Sequence, residues 1–204
     1  MKRFCCVVLL PLVTAWALGQ SVHQSQSSNL PNGSEGVVRS LYHEVIVRHP
    51  VGIPYGANMR MFAPYLSKSL LHRIDLAHAC SRDWTRQNQG RVLKAPFAWG
   101  EAGLFSGGDE RASPGNFRIE RTEAEKDGSF RVDVELMYRP SDGPGVWRVE
   151  AIVVREGGNF VVDDVIFLKN ESSGPQAPGE SRLSELLSQG CDGPRWVGYG
   201  NQHR

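Results

Sequence analysis

Hydrophobic residues follow two different periods along this chain. Before residue 80 they recur at helical spacing. The first such stretch begins at Ser34, which is suited to cap a helix, and stops at His49-Pro50; its apolar positions are Val38, Leu41, Tyr42, Val45 and Ile46. A second long helix is predicted from Ser67, with an apolar stripe formed by Leu70, Leu71, Ile74 and Ala77. The polar residues 82–91 are expected to fray into a loop.

After residue 116 the period changes to two, which is typical of half-buried β-strands. The pattern predicts strands beginning at Phe117 and covering 130–138, 146–156 and 160–168. Asp127-Gly128, residues 141–145 and residues 156–159 are turn signals between them. Three tight turns in succession predict a four-stranded antiparallel meander, and the helices that precede it make the predicted fold class α+β.

Two segments do not follow either period. Residues 94–116 carry five glycines, two prolines and three large aromatics; Trp99, Leu104 and Phe105 are expected to pin this long loop to the body of the domain. Near the C-terminus, residues 170–180 form a predicted connector, and a short helix is expected over 181–189 with Leu183, Leu186 and Leu187 as its stripe.

The N-terminal residues have the layout of a secretory signal peptide. Lys2 and Arg3 precede an apolar run of about 15 residues, and small residues offer a cleavage site before Gln20. The run is shorter than the roughly 20 residues of a spanning helix, so a retained anchor is the less favoured alternative. We expect a leader at 1–19, a disordered lead-in at 20–33, one domain at 34–191 and a tail at 192–204, in a secreted or periplasmic protein.

Composition and charge narrow the possible functions. The formal net charge is +1, and it becomes −1 once Lys2 and Arg3 leave with the leader. A domain this neutral lacks the basic surface that nucleic acid or anionic lipid would need. We therefore expect no nucleic-acid partner and no membrane contact after cleavage. The oligomeric state is left open.

The state of the cysteines depends on the compartment in which the protein resides. Cys5 and Cys6 belong to the leader, so the mature chain keeps only Cys80 and Cys191. In an oxidising compartment two cysteines most simply form one disulfide. A redox or metal-binding pair is the alternative, although no CxxC spacing supports it. A bridge would close a loop of about 110 residues and contribute ~4–5 kcal/mol at most.

The order of elements resembles the nuclear transport factor 2-like superfamily, whose cone-shaped fold is shared with ketosteroid isomerase. The chain is most similar to exported bacterial domains of unknown function in that superfamily. The segments that carry the resemblance are LYHEVIVRHP (41–50), APYLSKSLLHRI (63–74), FVVDDVIFL (160–168) and RLSELLSQGC (182–191). The resemblance implies N-terminal helices packed on a curved four-stranded antiparallel sheet, with a cleft between sheet and helices. It implies no particular reaction, because the superfamily includes enzymes, binding modules and inhibitors.

Asp163 and Asp164 are the first candidates for chemistry. Strict alternation places Asp164 on one face with Phe160, Val162, Ile166 and Leu168, and Asp163 on the other, so one carboxylate should face an apolar side. A carboxylate in an apolar cleft could act as a general acid or base. The alternative is structural, with the carboxylate accepting hydrogen bonds from a loop or a helix N-terminus or pairing with an arginine.

The other polar patterns are weaker. Isomerase-type chemistry would need Asp164 to meet a tyrosine, with Tyr42, Tyr55 and Tyr65 as the supply. His72 and His78 lie six residues apart on one helix, which disfavours a metal site. The charged residues of the second and third strands predict cross-strand ion pairs on a wet sheet face; they are Arg131, Asp133, Glu135, Arg139, Arg148 and Glu150.

These observations favour an exported, non-catalytic binding or envelope-accessory domain without a cofactor or metal. Its expected ligand is a small apolar molecule or an exported partner's segment, in the cleft between sheet and helices; the candidate binding residues are Trp99, Phe105, Asp163 and Asp164. One alternative is an isomerase- or lyase-like enzyme using Asp164 with Tyr42 or Tyr65. The other is an inhibitor or immunity-type protein acting through the 100–115 loop.

Overall fold

The structure, a computed structural model, describes residues 33–93, 95–101, 103–107, 113–138, 145–168 and 181–189. The leader (1–19), nearly all of the lead-in (20–33), Arg139, the connector at 170–180 and the tail (192–204) lie outside the described residues. Cys191 also lies outside them.

The helices precede the sheet, as the hydrophobic periods predict. Helix α1 covers Ser34–Arg48, α2 Gly56–Phe62 and α3 Lys68–Gln87, with a 3-10 turn at Ala63–Tyr65 before α3. A second 3-10 turn, Ala98–Glu101, follows within the long loop. Ser34 is the first residue of α1 rather than its cap; Gly33 takes the cap position with a φ of 110°.

Helix α3 begins as expected but ends later. Ser67 is its N-cap, and the Ser67 hydroxyl accepts a hydrogen bond of 2.9 Å from the Leu70 N–H. The helix then continues to Gln87, so the prediction that residues after 82 leave the helix is wrong for 82–87. The indole ring of Trp84 contacts the edge of Phe97 at a centroid distance of 6.1 Å, which gives these polar turns an apolar anchor.

Within the described residues the sheet has five antiparallel strands, where the sequence predicts four. In chain order they are β1 Pro114–Ala124, β2 Phe130–Tyr138, β3 Val146–Glu156, β4 Asn159–Phe167 and β5 Ser181–Arg182. The extra strand, β5, lies where the sequence predicts the start of the last helix, so that helix, α4, spans only Leu183–Ser188. Strand β5 pairs with Ile166 and Phe167 and so occupies part of the outer edge of β4, which would otherwise leave backbone groups unpaired.

The helices cover one face of this sheet. Helix α1 contacts β1 to β4, and α4 contacts both α3 and β4. The facing positions are fully buried and form one core; they include Leu41, Tyr42, Ile74, Val134, Val149 and Val165. These buried side chains contact one another between the sheet and the helices, where the sequence predicts a ligand cleft.

The segment 103–107 is fastened to this core from two sides. The Tyr42 hydroxyl donates to the Phe105 carbonyl at 2.9 Å, and the Trp147 indole N–H donates to the Ser106 carbonyl at 2.7 Å. The side chains of Leu104 and Phe105 are buried. The expectation that this part of the long loop is held against the body of the domain is confirmed.

Candidate functional site

A β-bulge in β4 decides where the two aspartates point. On β3, Ile152 faces Asp164 and its neighbour Val153 faces Val162, so Asp163 is an extra residue without a partner. The bulge shifts the alternation by one position. Val162 therefore shares the core face with Val165 and Phe167, whereas Asp164 lies on the outer face with Ile166. The prediction that Asp164 shares a face with Phe160 and Val162 is wrong for this reason.

Asp163 fastens the start of α3 to the sheet. One carboxylate oxygen of Asp163 accepts a hydrogen bond of 2.5 Å from the Ser67 hydroxyl, and the Ser67 N–H donates to the Val162 carbonyl at 2.8 Å. Since the same hydroxyl caps α3, the bulge, the cap and the helix form one hydrogen-bonded unit. The Asp163 carboxylate is thus committed to a structural contact.

Asp164 fastens the start of α4 to the sheet in the same way. It is only 7% exposed, and its Oδ1 accepts hydrogen bonds from the N–H groups of Val165 (2.9 Å) and Ser184 (3.0 Å). Its Oδ2 accepts a third from the Ser184 hydroxyl at 2.7 Å, while the Arg182 guanidinium lies 3.6 Å away. Both oxygens of this buried carboxylate are therefore engaged by donors of the fold.

The tyrosines named as partners for Asp164 are placed elsewhere. Tyr42 is fully buried between α1 and the sheet, and burial raises the pKa of its phenol far above the ordinary value. Its hydroxyl is used on the Phe105 carbonyl. Tyr65 is half-buried in the 3-10 turn before α3 and packs against the core. No hydrogen bond within the described part of the chain joins either tyrosine to Asp164.

The aromatic candidates belong to the core. Phe105 is fully buried and contacts Phe62 at a centroid distance of 5.2 Å. Trp99 is 5% exposed and stacks on Phe97 at 4.8 Å with an interplanar angle of 10°. Their surfaces are therefore covered by this chain's own side chains. Cys80 is buried on α3. Its predicted bridge to Cys191 stays a prediction, because Cys191 lies outside the described residues.

The outer face of the sheet carries the predicted ladder of charges. Glu135 accepts from Arg118 at 3.0 Å and from Arg148 at 3.2 Å, and Arg131 reaches Glu150 at 2.7 Å. The expectation of cross-strand ion pairs between β2 and β3 is confirmed by these distances and by the register of the two strands.

One end of this outer face forms a depression of about 280 Å³ beside β5. We call it the β5 groove and define it by its lining residues, Arg131, Glu150, Ile166, Leu168, Ser181, Arg182 and Glu185. The sequence pattern predicts Arg131 and Glu150 only as part of a wet sheet face, and it does not single out Arg182 or Glu185. The groove was missed because its far wall arrives through β5, which the sequence pattern does not reveal.

A second depression, of about 310 Å³, lies between Tyr55 and the last turns of α3. Nearby, His78 is buried, and one ring nitrogen lies 3.0 Å from the Pro54 carbonyl. Burial is the main cause that lowers the pKa of His78. Among the described residues, no group of three or more His, Cys, Asp or Glu side chains is placed to hold a metal ion.

The wider comparisons add no identity. No protein-family model, no curated protein and no solved structure matches this chain. Of the helices within the described ranges, none has the length and apolarity needed to cross a bilayer.

Proposed function

We propose that this chain is an exported, non-catalytic binding module of the nuclear transport factor 2-like type, held together by a Cys80–Cys191 bridge. The absence of catalysis in this proposal is supported by one observation: the candidate acid and base groups make hydrogen bonds that hold the fold together. Asp163 holds the cap of α3, Asp164 holds the start of α4 and Tyr42 holds the 103–107 segment. An acid–base catalyst needs a group that can exchange its proton with a substrate, and these groups are already bound to the fold.

The binding surface that we propose is the β5 groove. Its lining combines side chains of both charges with two aliphatic side chains. The groove opens to solvent on the outer face of the sheet. Its volume is just below the range of roughly 300–1,000 Å³ that is typical of small-molecule sites. A small ligand, or one side chain of a partner, suits it better than a long lipid.

The non-catalytic assignment is tested by comparing Asp164→Asn with Asp75→Asn, an exposed aspartate of α3. The proposal expects Asp164→Asn to lower the melting temperature while the control leaves it unchanged. An unchanged melting temperature together with loss of turnover on any isomerase or lyase substrate would replace the proposal with the enzyme alternative.

Export and the bridge are tested on the protein recovered from the culture medium or periplasm. Mass spectrometry is expected to show a chain that begins at Gln20 and that takes up no thiol reagent before reduction. A chain that keeps residues 1–19, or two cysteines that react without reduction, would contradict this part of the proposal.

A further inference from the structure

The β5 groove is flanked by one cation and one anion that the fold leaves available. Arg182 is 46% exposed, and its one ion pair with a described residue is the 3.6 Å approach to Asp164. The Asp164 oxygen concerned already accepts a shorter bond of 2.7 Å from the Ser184 hydroxyl. The Arg182 guanidinium therefore has donors that an external carboxylate could use.

Glu185 supplies the opposite charge. Its carboxylate accepts only the long 3.4 Å bond from the Arg182 N–H and makes no ion pair within the described residues. The situation differs for Arg131, whose guanidinium is divided between Glu125 at 2.9 Å and Glu150 at 2.7 Å. The two charges open to a ligand are thus one guanidinium and one carboxylate on the same short segment.

Of the other lining residues, Ile166 and Leu168 are aliphatic and Ser181 adds a hydroxyl. Ile166 lies on the outer face of β4, opposite Arg182 in β5, and Leu168 follows directly after the strand. A polyanion such as a phosphate chain would meet Glu150 and Glu185 as like charges. A purely apolar ligand would offer no charged partner to the Arg182 guanidinium or to the Glu185 carboxylate.

From this arrangement we infer that the β5 groove takes a free α-amino acid with an aliphatic side chain. The ligand's carboxylate binds Arg182, its ammonium binds Glu185, and its side chain lies on Ile166 and Leu168. This inference rests on the proposed binding function and names the ligand class for the same groove.

The experiment measures binding to the full mature chain by isothermal titration calorimetry with three probes. L-leucine carries both charges, N-acetyl-L-leucine carries only the carboxylate, as a peptide C-terminus does, and L-leucinamide carries only the ammonium, as a peptide N-terminus does. We expect L-leucine to bind about tenfold or more tightly than either analogue, because each analogue leaves one charged group of the groove unpaired.

Variants link the binding to the groove. Arg182→Gln and Glu185→Gln are expected to weaken L-leucine binding about tenfold or more, whereas Arg118→Gln, an exposed outer-face arginine outside the groove, leaves it unchanged. Leu168 lies outside α4, so Leu168→Ala still tests binding at the groove if the first two variants loosen that helix. It is expected to weaken L-leucine binding and to spare glycine binding.

Three results would overturn the inference: no saturable binding of L-leucine at millimolar concentration, equal binding of all three probes, or binding that survives both charge variants. Tighter binding of one analogue would show a peptide terminus as the ligand instead. Equal or analogue-selective binding removes only the amino-acid inference and leaves a binding groove. The proposed function is tested separately, by the stability and turnover of the Asp164→Asn variant.

Discussion

Replacing Asp164 with asparagine separates a structural carboxylate from a catalytic one. The amide oxygen of asparagine can still accept the two N–H bonds now made to Oδ1. The amide nitrogen, however, takes the place of Oδ2. It presents a donor to the Ser184 hydroxyl and to the Arg182 guanidinium, both of which now approach an acceptor. The substitution therefore changes one oxygen while keeping the size of the side chain.

The magnitude follows from the contacts that are lost. A hydrogen bond to a charged group contributes about 1.5–3 kcal/mol, and the Arg182 pair adds little because that arginine is 46% exposed and the distance is 3.6 Å. We expect Asp164→Asn to reduce the free energy of unfolding by roughly 2–3 kcal/mol. For a domain of this length the corresponding fall in Tm is roughly 4–12 °C.

Chemical denaturation and calorimetry measure this change, and two variants control it. Asp75→Asn is expected to stay within about 0.5 kcal/mol of the parent because it is a surface change. Ser184→Ala removes the hydroxyl partner, so the Asp164→Asn substitution should cost less in that background than in the parent. The reasoning is refuted if Asp164→Asn is as stable as Asp75→Asn, or if the two sites are strictly additive.

Three further outcomes are expected. The folded-state pKa of His78 lies below its unfolded value of about 6.5, so the unfolded chain binds more protons and stability falls as pH drops below about 6.5. His78→Gln should flatten this dependence of the unfolding free energy on pH, and equal slopes in the variant and the parent would contradict the reasoning. Gly107→Ala should destabilise the fold much more than Gly128→Ala in thermal melts, since both glycines have positive φ but only the Gly107 Cβ would overlap the Phe167 ring. Tyr42→Phe should lower the free energy of unfolding by about 1–2 kcal/mol in denaturant titrations, because it leaves a buried carbonyl unpaired. The same variant should not change the phenol absorbance titration near pH 10–11, because burial raises the pKa of Tyr42 above that range. Loss of one titrating phenol in the variant would contradict this reasoning.

The local pattern was enough to predict most individual elements. The stripe at Leu70, Ile74 and Ala77 is buried in α3, and Ser67 caps that helix as its position predicts. The alternation in β2 and β3 placed the charged face correctly, because period-two burial needs only neighbouring strands in register. These features depend on residues close in sequence, where periodicity and capping chemistry act directly.

The candidate site could not be read from the chain in the same way. The bulge at Asp163 lies where Ser67, the cap of α3, binds the strand from 96 residues away, and it reverses the face on which Asp164 lies. Likewise, β5 pairs with β4 over only two residues, too few to leave an alternating pattern.

The sequence by itself therefore determined the order of the two long helices and of strands β1 to β4, the charged outer face and the near-neutral composition, since each follows from local period or composition. Only the tertiary structure decided that both aspartates serve the fold, that a fifth strand joins the sheet, and that Arg182 and Glu185 flank a groove. The physical reason is that these outcomes depend on which distant groups meet. A single residue inserted in one strand is enough to exchange the two faces for every position after it.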